Sequence, residues 1–168
     1  MIIQLTDLYQ VPGKTAGYDV MPDAECIAGY PIVSCEPVHL VIHHEKDRAI
    51  TVEGSISLVL TIPCDRCLKP VETTVTADLS RMLDGQRFTD EDGETVEYLE
   101  GDMLDAGRLI EEAVIENLPM KVLCREDCKG LCPKCGRDLN EGPCGCEDDK
   151  PLTGMGEAIL KAFQNAGK

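Results

Sequence analysis

Six of the chain's ten cysteines fall between residues 124 and 146, in the run CREDCKGLCPKCGRDLNEGPCGC. Their spacing is Cys124-x3-Cys128-x3-Cys132-x2-Cys135-x8-Cys144-x-Cys146. Two cysteines two residues apart, with Gly136 directly after the second, have the shape of a zinc knuckle. The short loop turns both sulfurs toward one metal, and the glycine permits the backbone turn that aims N–H groups at them. A second tight pair, Cys64-x2-Cys67, lies upstream in IPCDRCLKP. Four close pairs supply the eight thiolates needed for two zinc ions, each held by four cysteines.

How the pairs combine is a separate question. Cys132/Cys135 stand one short loop from Cys144/Cys146, so those four suit a local tetrahedral site. Cys124/Cys128 would then meet Cys64/Cys67 and tie the C-terminal module to the rest of the chain. The simpler rival is a single site drawn from the six clustered cysteines, with Cys64 and Cys67 free.

Disulfide or redox chemistry competes with metal binding. Dense cysteine spacing means a disulfide scaffold in secreted chains, and the start, MIIQLTDLYQVPG, has neither the basic nor the apolar region of a signal peptide. A thioredoxin-like Cys64/Cys67 would open a helix after a strand, whereas Pro63, Pro70 and strand-like runs flank this pair. Reduced cysteines, no export signal and no apolar run long enough to span a membrane point to a cytoplasmic protein.

At 168 residues the chain has room for one ordinary domain and a small appendage. The Cys-rich module has almost no apolar side chains besides Leu123, Leu131 and Leu139, so metal must supply its folding energy. Sixteen Lys and Arg against 31 Asp and Glu give a net charge of −15. That field opposes phosphate, and the six aromatics are scattered rather than gathered into a base-stacking platform. Within the module, Arg125, Lys129, Lys134 and Arg137 are matched by Glu126, Asp127, Asp138 and Glu141. An acidic surface suits a basic protein partner.

Residues 1–123 read as a β-rich body. IIQLTDLY is a first strand or short element, and residues 13–25 read as loop. Cys26 and Cys35 have no short partner spacing, and isolated cysteines of this kind usually behave as small buried hydrophobes. VHLVIHH, RAITVEGSISLVLTIP and VETTVTADLS then form an antiparallel β meander, with Cys64/Cys67 at a hairpin tip. On such a strand His39 and His43 share a face opposite His44, and a solvated or edge-strand role fits them better than metal binding.

Residues 84–105 hold nine acids against the single base Arg87 and read as a solvated, partly disordered acidic loop over 84–104, or a docking arm for a basic partner. Asp105 caps one main amphipathic helix over 105–118, burying Leu109, Ile110, Ala113, Val114 and Leu118. Pro119 ends it. Residues 124–146 form the zinc module, and 147–168 a linker with a short terminal helix around Ile159, Leu160 and Phe163. The fold class is α+β. No phosphate loop, nucleophile elbow or catalytic triad is present in the sequence.

CDRCL at Cys64 to Leu68, NLP at Asn117 to Pro119, and CKGLCPKCGRDLN at Cys128 to Asn140 with the following CGC together resemble the YceD family. These are the large ribosomal RNA subunit accumulation proteins of bacteria and plastids, and the likeness covers roughly residues 38–146. It implies a role in ribosome biogenesis. Family members without the Cys-rich module exist, so the cluster cannot by itself be the shared activity.

Three functions follow as alternatives. The first is a non-enzymatic assembly factor whose acidic surface engages a basic ribosomal protein or large-subunit precursor particle. The second is direct RNA binding through Arg125, Lys129, Lys134 and Arg137. The third is an enzyme, either a thiol oxidoreductase using Cys64/Cys67 or a nuclease; four thiolate ligands leave zinc no open position for a water, which disfavours hydrolysis.

Overall fold

A computed structural model of the chain describes residues 1–22 and 24–146. The linker and terminal helix expected over 147–168 lie outside the described residues. The chain divides into two compact units, Met1–Cys128 and Lys129–Lys168.

The first unit begins with β1 (Ile2–Gln4), the single-turn α1 (Thr6–Tyr9), β2 (Thr15–Val20), β3 (Cys26–Ile27) and β4 (Tyr30–Cys35). It continues through β5 (Val38–His44), β6 (Ala49–Glu53), β7 (Ser55–Pro63), β8 (Pro70–Asp78) and β9 (Arg81–Asp84). It closes with β10 (Leu99–Glu100), β11 (Met103–Asp105) and α2 (Ala106–Glu116). The strands build three antiparallel sheets ordered β1-β11-β10, β2-β5-β6-β9 and β3-β4-β7-β8. The architecture is α+β, dominated by antiparallel sheet, with one main helix.

Period-two alternation drives this arrangement. Leu40 and Ile42 on β5, Ile50 and Val52 on β6, and Leu58 and Leu60 on β7 all turn inward and are buried. Each such side chain contributes roughly 1.5–3 kcal/mol through burial. Asp105 Oδ1 accepts the Gly107 and Arg108 N–H groups at 3.0 and 3.4 Å, capping α2. Leu109, Ile110, Ala113 and Val114 form its buried stripe, while Leu118 lies beyond the helix end, half-buried against the core.

Four expectations change at this level. The strands expected in one meander divide between two sheets, β5 and β6 in one and β7 and β8 in the other. The break is at Gly54, where a Cβ would stand 2.8 Å from Leu40 Cδ2 and 3.0 Å from the His39 carbonyl oxygen. Only a residue without a side chain lets the chain pass β5 that closely. Residues 13–25 are not simply loop, because β2 pairs with β5 from Thr15↔His43 to Val20↔Val38.

The acidic segment 84–104 is folded rather than a solvated arm. Val96, Tyr98 and Leu99 are buried. Its acids make turns: Asp84 Oδ1 accepts from the Gln86 and Arg87 N–H groups, and Asp90 Oδ1 from those of Asp92 and Glu94. Cys26, expected to be buried, is exposed, because its neighbour Ile27 takes the inward side of the two-residue β3; Cys35 is half-buried.

The described part of the second unit, residues 129–146, is built from tight turns. Cys132 N–H donates to the Arg137 carbonyl, Gly136 N–H to the Cys132 carbonyl and Leu139 N–H to the Gly130 carbonyl, at 2.8–2.9 Å. Among these residues no hydrophobic side chain other than Cys132 is buried. Hydrophobic burial cannot hold such a segment.

Candidate metal centres

β7 and β8 form the longest hairpin of the fold, in unbroken register from Ser55↔Asp78 to Pro63↔Pro70. Cys64 and Cys67 sit in the turn that joins them. Cys64 N–H donates to the Lys69 carbonyl, and Leu68 N–H donates back to the Cys64 carbonyl at 2.9 Å. Leu68 has a φ of +61°, and Gly136, at the matching place in the second knuckle, has +71°. The two turns share one backbone geometry, with the glycine replaced by leucine in the first.

After α2, the segment through Pro119 runs past this hairpin tip. Asp65 N–H donates to the Val122 carbonyl at 2.9 Å, and Val122 N–H donates to Asp65 Oδ2 at 2.6 Å. Arg66 Nη1 donates to the Cys128 carbonyl at 2.6 Å. These bonds bring Cys124 and Cys128 over the tip. The Cys67 and Cys124 sulfurs lie 3.5 Å apart, and those of Cys64 and Cys128 3.8 Å. No disulfide joins them among the described residues, where all ten cysteines are free thiols.

The eight expected ligands therefore gather into two sets, Cys64, Cys67, Cys124 and Cys128, and Cys132, Cys135, Cys144 and Cys146. Within each set the sulfurs all lie within 4.8 Å of one another. Four sulfurs about 2.3 Å from a tetrahedral metal would stand roughly 3.8 Å from each other. The Cys64–Cys128 and Cys67–Cys124 distances, 3.8 and 3.5 Å, are close to that edge length. The sets lie in different compact units, the first wholly within Met1–Cys128.

Electrostatics point the same way. Burial opposes ionisation of Cys64, yet the N–H groups of Arg66, Cys124 and Cys67 aimed at its sulfur bring its pKa down to about 6. The neighbouring Cys67 sulfur pushes Cys124 up to about 12. In the second set the Cys135 and Lys134 N–H groups bring Cys132 down to about 6, while Cys135 and Cys144 push Cys146 up to about 12. In each set backbone dipoles favour one thiolate, Cys64 or Cys132, while neighbouring sulfurs oppose ionisation of Cys124 or Cys146 without a cation among them. Such a set could hold a soft or borderline dication by four thiolates, which would leave no coordination position open to water.

The histidines stand apart from both sets. His39 Nδ1 lies 2.8 Å from Asp19 Oδ1, and His43 Nδ1 2.7 Å from Thr15 Oγ1. His44 is buried on an interior strand, not solvated or at an edge, with Nδ1 3.0 Å from the Val11 carbonyl and its ring edge-on to Tyr9. Asp65, Arg66 and Leu68 were not foreseen as supports for the first set. The sequence clue was that both middle residues of the Cys64/Cys67 loop are charged, and so able to reach outside it.

An antiparallel α+β body whose longest hairpin ends in a knuckle, followed by a second knuckle with its own four thiols, defines a protein built around paired all-cysteine centres. Residues 52–163 match the family described as large ribosomal RNA subunit accumulation protein YceD, and the chain belongs to that family. A Mycobacterium tuberculosis protein of uncharacterised function is 34% identical over 106 residues, covering 57% of this chain and 48% of that relative. A Mycobacterium leprae relative, also uncharacterised, is 26% identical over 147 residues, covering 83% of this chain and 67% of its own. The Arabidopsis thaliana protein named large ribosomal RNA subunit accumulation protein YCED homolog 1, chloroplastic, is 21% identical over 154 residues, covering 73% and 48%. The chain thus spans about half the length of the first relatives it matches. No solved structure matches it.

Proposed function

We propose that the chain is a non-enzymatic factor in large-subunit ribosome biogenesis, acting in the cytoplasm by engaging a basic ribosomal protein or precursor particle. The observation that carries this reading is the gathering of eight thiols into two closed four-sulfur sets in a family tied by name to large-subunit ribosomal RNA. Each set takes one Zn²⁺, coordinated by Cys64, Cys67, Cys124 and Cys128 or by Cys132, Cys135, Cys144 and Cys146. The ion supplies folding energy and rigidity rather than a reactive site.

Two features oppose catalysis. Four thiolates saturate the metal, and Cys64/Cys67 turn between antiparallel strands instead of opening a helix as thioredoxin-like pairs do. No described helix is long and apolar enough to cross a membrane. The charge of −15 favours a basic protein over nucleic acid as the direct contact.

Affinity purification of the chain from its own cells at native salt tests this reading. Recovery of large-subunit ribosomal protein that survives ribonuclease is the expected result. Recovery lost on ribonuclease treatment would make RNA the contact, and recovery of no ribosomal component would end the proposal.

A further inference from the structure

β8 is a nine-residue strand at the edge of its sheet, paired among the described residues only with β7. Its ladder has a parity. Cys64 N–H reaches the Lys69 carbonyl and Leu79 N–H reaches the Gly54 carbonyl, which fixes the hydrogen-bonded pairs as those containing Val71, Thr73, Val75 and Ala77. The main-chain groups of Glu72, Thr74, Thr76 and Asp78 therefore turn away from β7, along the free edge. These four residues are exposed, while Val75 and Ala77 are buried on the other face, where α2 packs.

Edge strands of soluble proteins are ordinarily blunted by bulges, central charges, brevity or a covering element. Among the described residues β8 has none of these along its middle. The register is unbroken, and the centre is the β-branched run Thr73-Thr74-Val75-Thr76. Charge appears only near its ends, at Glu72 and Asp78, and their cross-strand neighbours Thr61 and Ser55 are uncharged.

The two acids favour a basic strand there over a second copy in the register centred on Val75. A second copy docking antiparallel about Val75 would set Glu72 against Asp78 of that copy and Asp78 against its Glu72, an acid opposite an acid at both ends. A strand with Lys or Arg six positions apart would instead meet both carboxylates with opposite charge. Asp78 stays ionised because the Ser80 hydroxyl and N–H donate to its Oδ1, which holds its carboxyl below the usual range.

We infer that the free edge of β8 is a docking site for an extended basic segment of a protein partner, added as a further antiparallel strand. The inference rests on the reading above that the partner is a basic protein, and names the surface that meets it. The main chain of Glu72, Thr74 and Thr76 supplies the hydrogen bonds, and Glu72 and Asp78 select the basic flanks.

The probe is a synthetic peptide Lys-Val-Thr-Val-Thr-Val-Lys with capped ends, added to the full chain, with an analogue bearing Glu at both ends as comparison. Binding is read by anisotropy and by amide exchange at Glu72, Thr74 and Thr76. Thr74→Pro removes one outward N–H and leaves the β7 ladder whole, because proline is tolerated where the N–H faces solvent. Thr73→Pro is the contrasting variant, since it breaks a bond to β7 and lowers stability. The expected result is that the basic peptide protects those three amides, the Glu analogue does not bind, and Thr74→Pro weakens binding roughly tenfold or more at unchanged thermal stability. Equal binding by Thr74→Pro, protection elsewhere, or a dimer through β8 that excludes the peptide would overturn the inference. If wild-type and Thr74→Pro chains recover ribosomal protein equally from cells, the edge fails while the ribosomal reading stands. If neither recovers any, but the peptide binds as described, the ribosomal reading fails alone.

Discussion

Asp65 and Val122, 57 residues apart, bond to each other in both directions: Val122 N–H donates to the Asp65 carboxylate, and Asp65 N–H donates to the Val122 carbonyl. This pair fixes the segment carrying Cys124 and Cys128 against the hairpin tip carrying Cys64 and Cys67. One side chain thus lets two distant stretches supply one four-sulfur set.

Asp65→Ala leaves the Val122 N–H without its acceptor. The expected loss is about 1–2 kcal/mol in urea unfolding, with a roughly tenfold weaker metal affinity at the first centre. Asp65→Asn keeps an acceptor and falls between the two. An unchanged urea midpoint and unchanged affinity in the alanine variant would show the staple to be idle.

Leu68 holds a φ of +61° on an exposed side chain, in the turn position that Gly136 fills in the second knuckle. A left-handed conformation costs an L-residue roughly 1–2 kcal/mol, partly offset by the greater freedom glycine has when unfolded. Leu68→Gly is therefore expected to raise stability by about 0.5–1 kcal/mol with metal content unchanged. A lower urea midpoint would mean that the leucine side chain makes a contact worth more than the strain.

Much of this was legible in the sequence, and the misses have physical causes. The cysteine spacing and the cap at Asp105 could be read directly, because ligand geometry and helix-end hydrogen bonding are local. The division into two sheets could not. Ile50, Val52, Ile56 and Leu58 alternate in step across Gly54, so β6 and β7 look like one strand, and only the approach of Gly54 to Leu40 separates them. In β2, Val20 is the only fully buried residue, so its strand signal was weak. Charge also hid structure in 84–104, where Val96, Tyr98 and Leu99 are buried among acids that serve as turn makers.

Asp102 gives the fold an acid-sensitive point. A hydrogen bond from Arg48, aided by one from Thr6 Oγ1, holds its carboxyl below the ordinary range against the opposing effect of burial. Because the folded pKa is lowered, the stabilisation is complete above the ordinary value of about 3.9 and is lost as pH falls through the folded value. Asp102→Asn should be less stable than wild type at neutral pH, with the gap closing under strong acid. Urea midpoints across that range check it, and a constant gap at every pH would show that the carboxylate charge is not what matters.

Metal removal separates the two centres by what else supports them. The body has its own core, whereas residues 129–146 bury no hydrophobic side chain besides Cys132 among the described residues. A strong chelator should therefore speed amide exchange at Cys132, Gly136 and Leu139, while Leu79, bonded to the Gly54 carbonyl, stays protected. Elemental analysis should find two zinc ions per chain, one for each four-sulfur set, falling to one in the double variant Cys64→Ser/Cys67→Ser. Loss of both ions in that variant would mean that the second knuckle depends on the first. One ion in wild type, unaffected by the change, would leave Cys64 and Cys67 as free thiols and return redox chemistry at the hairpin tip to consideration.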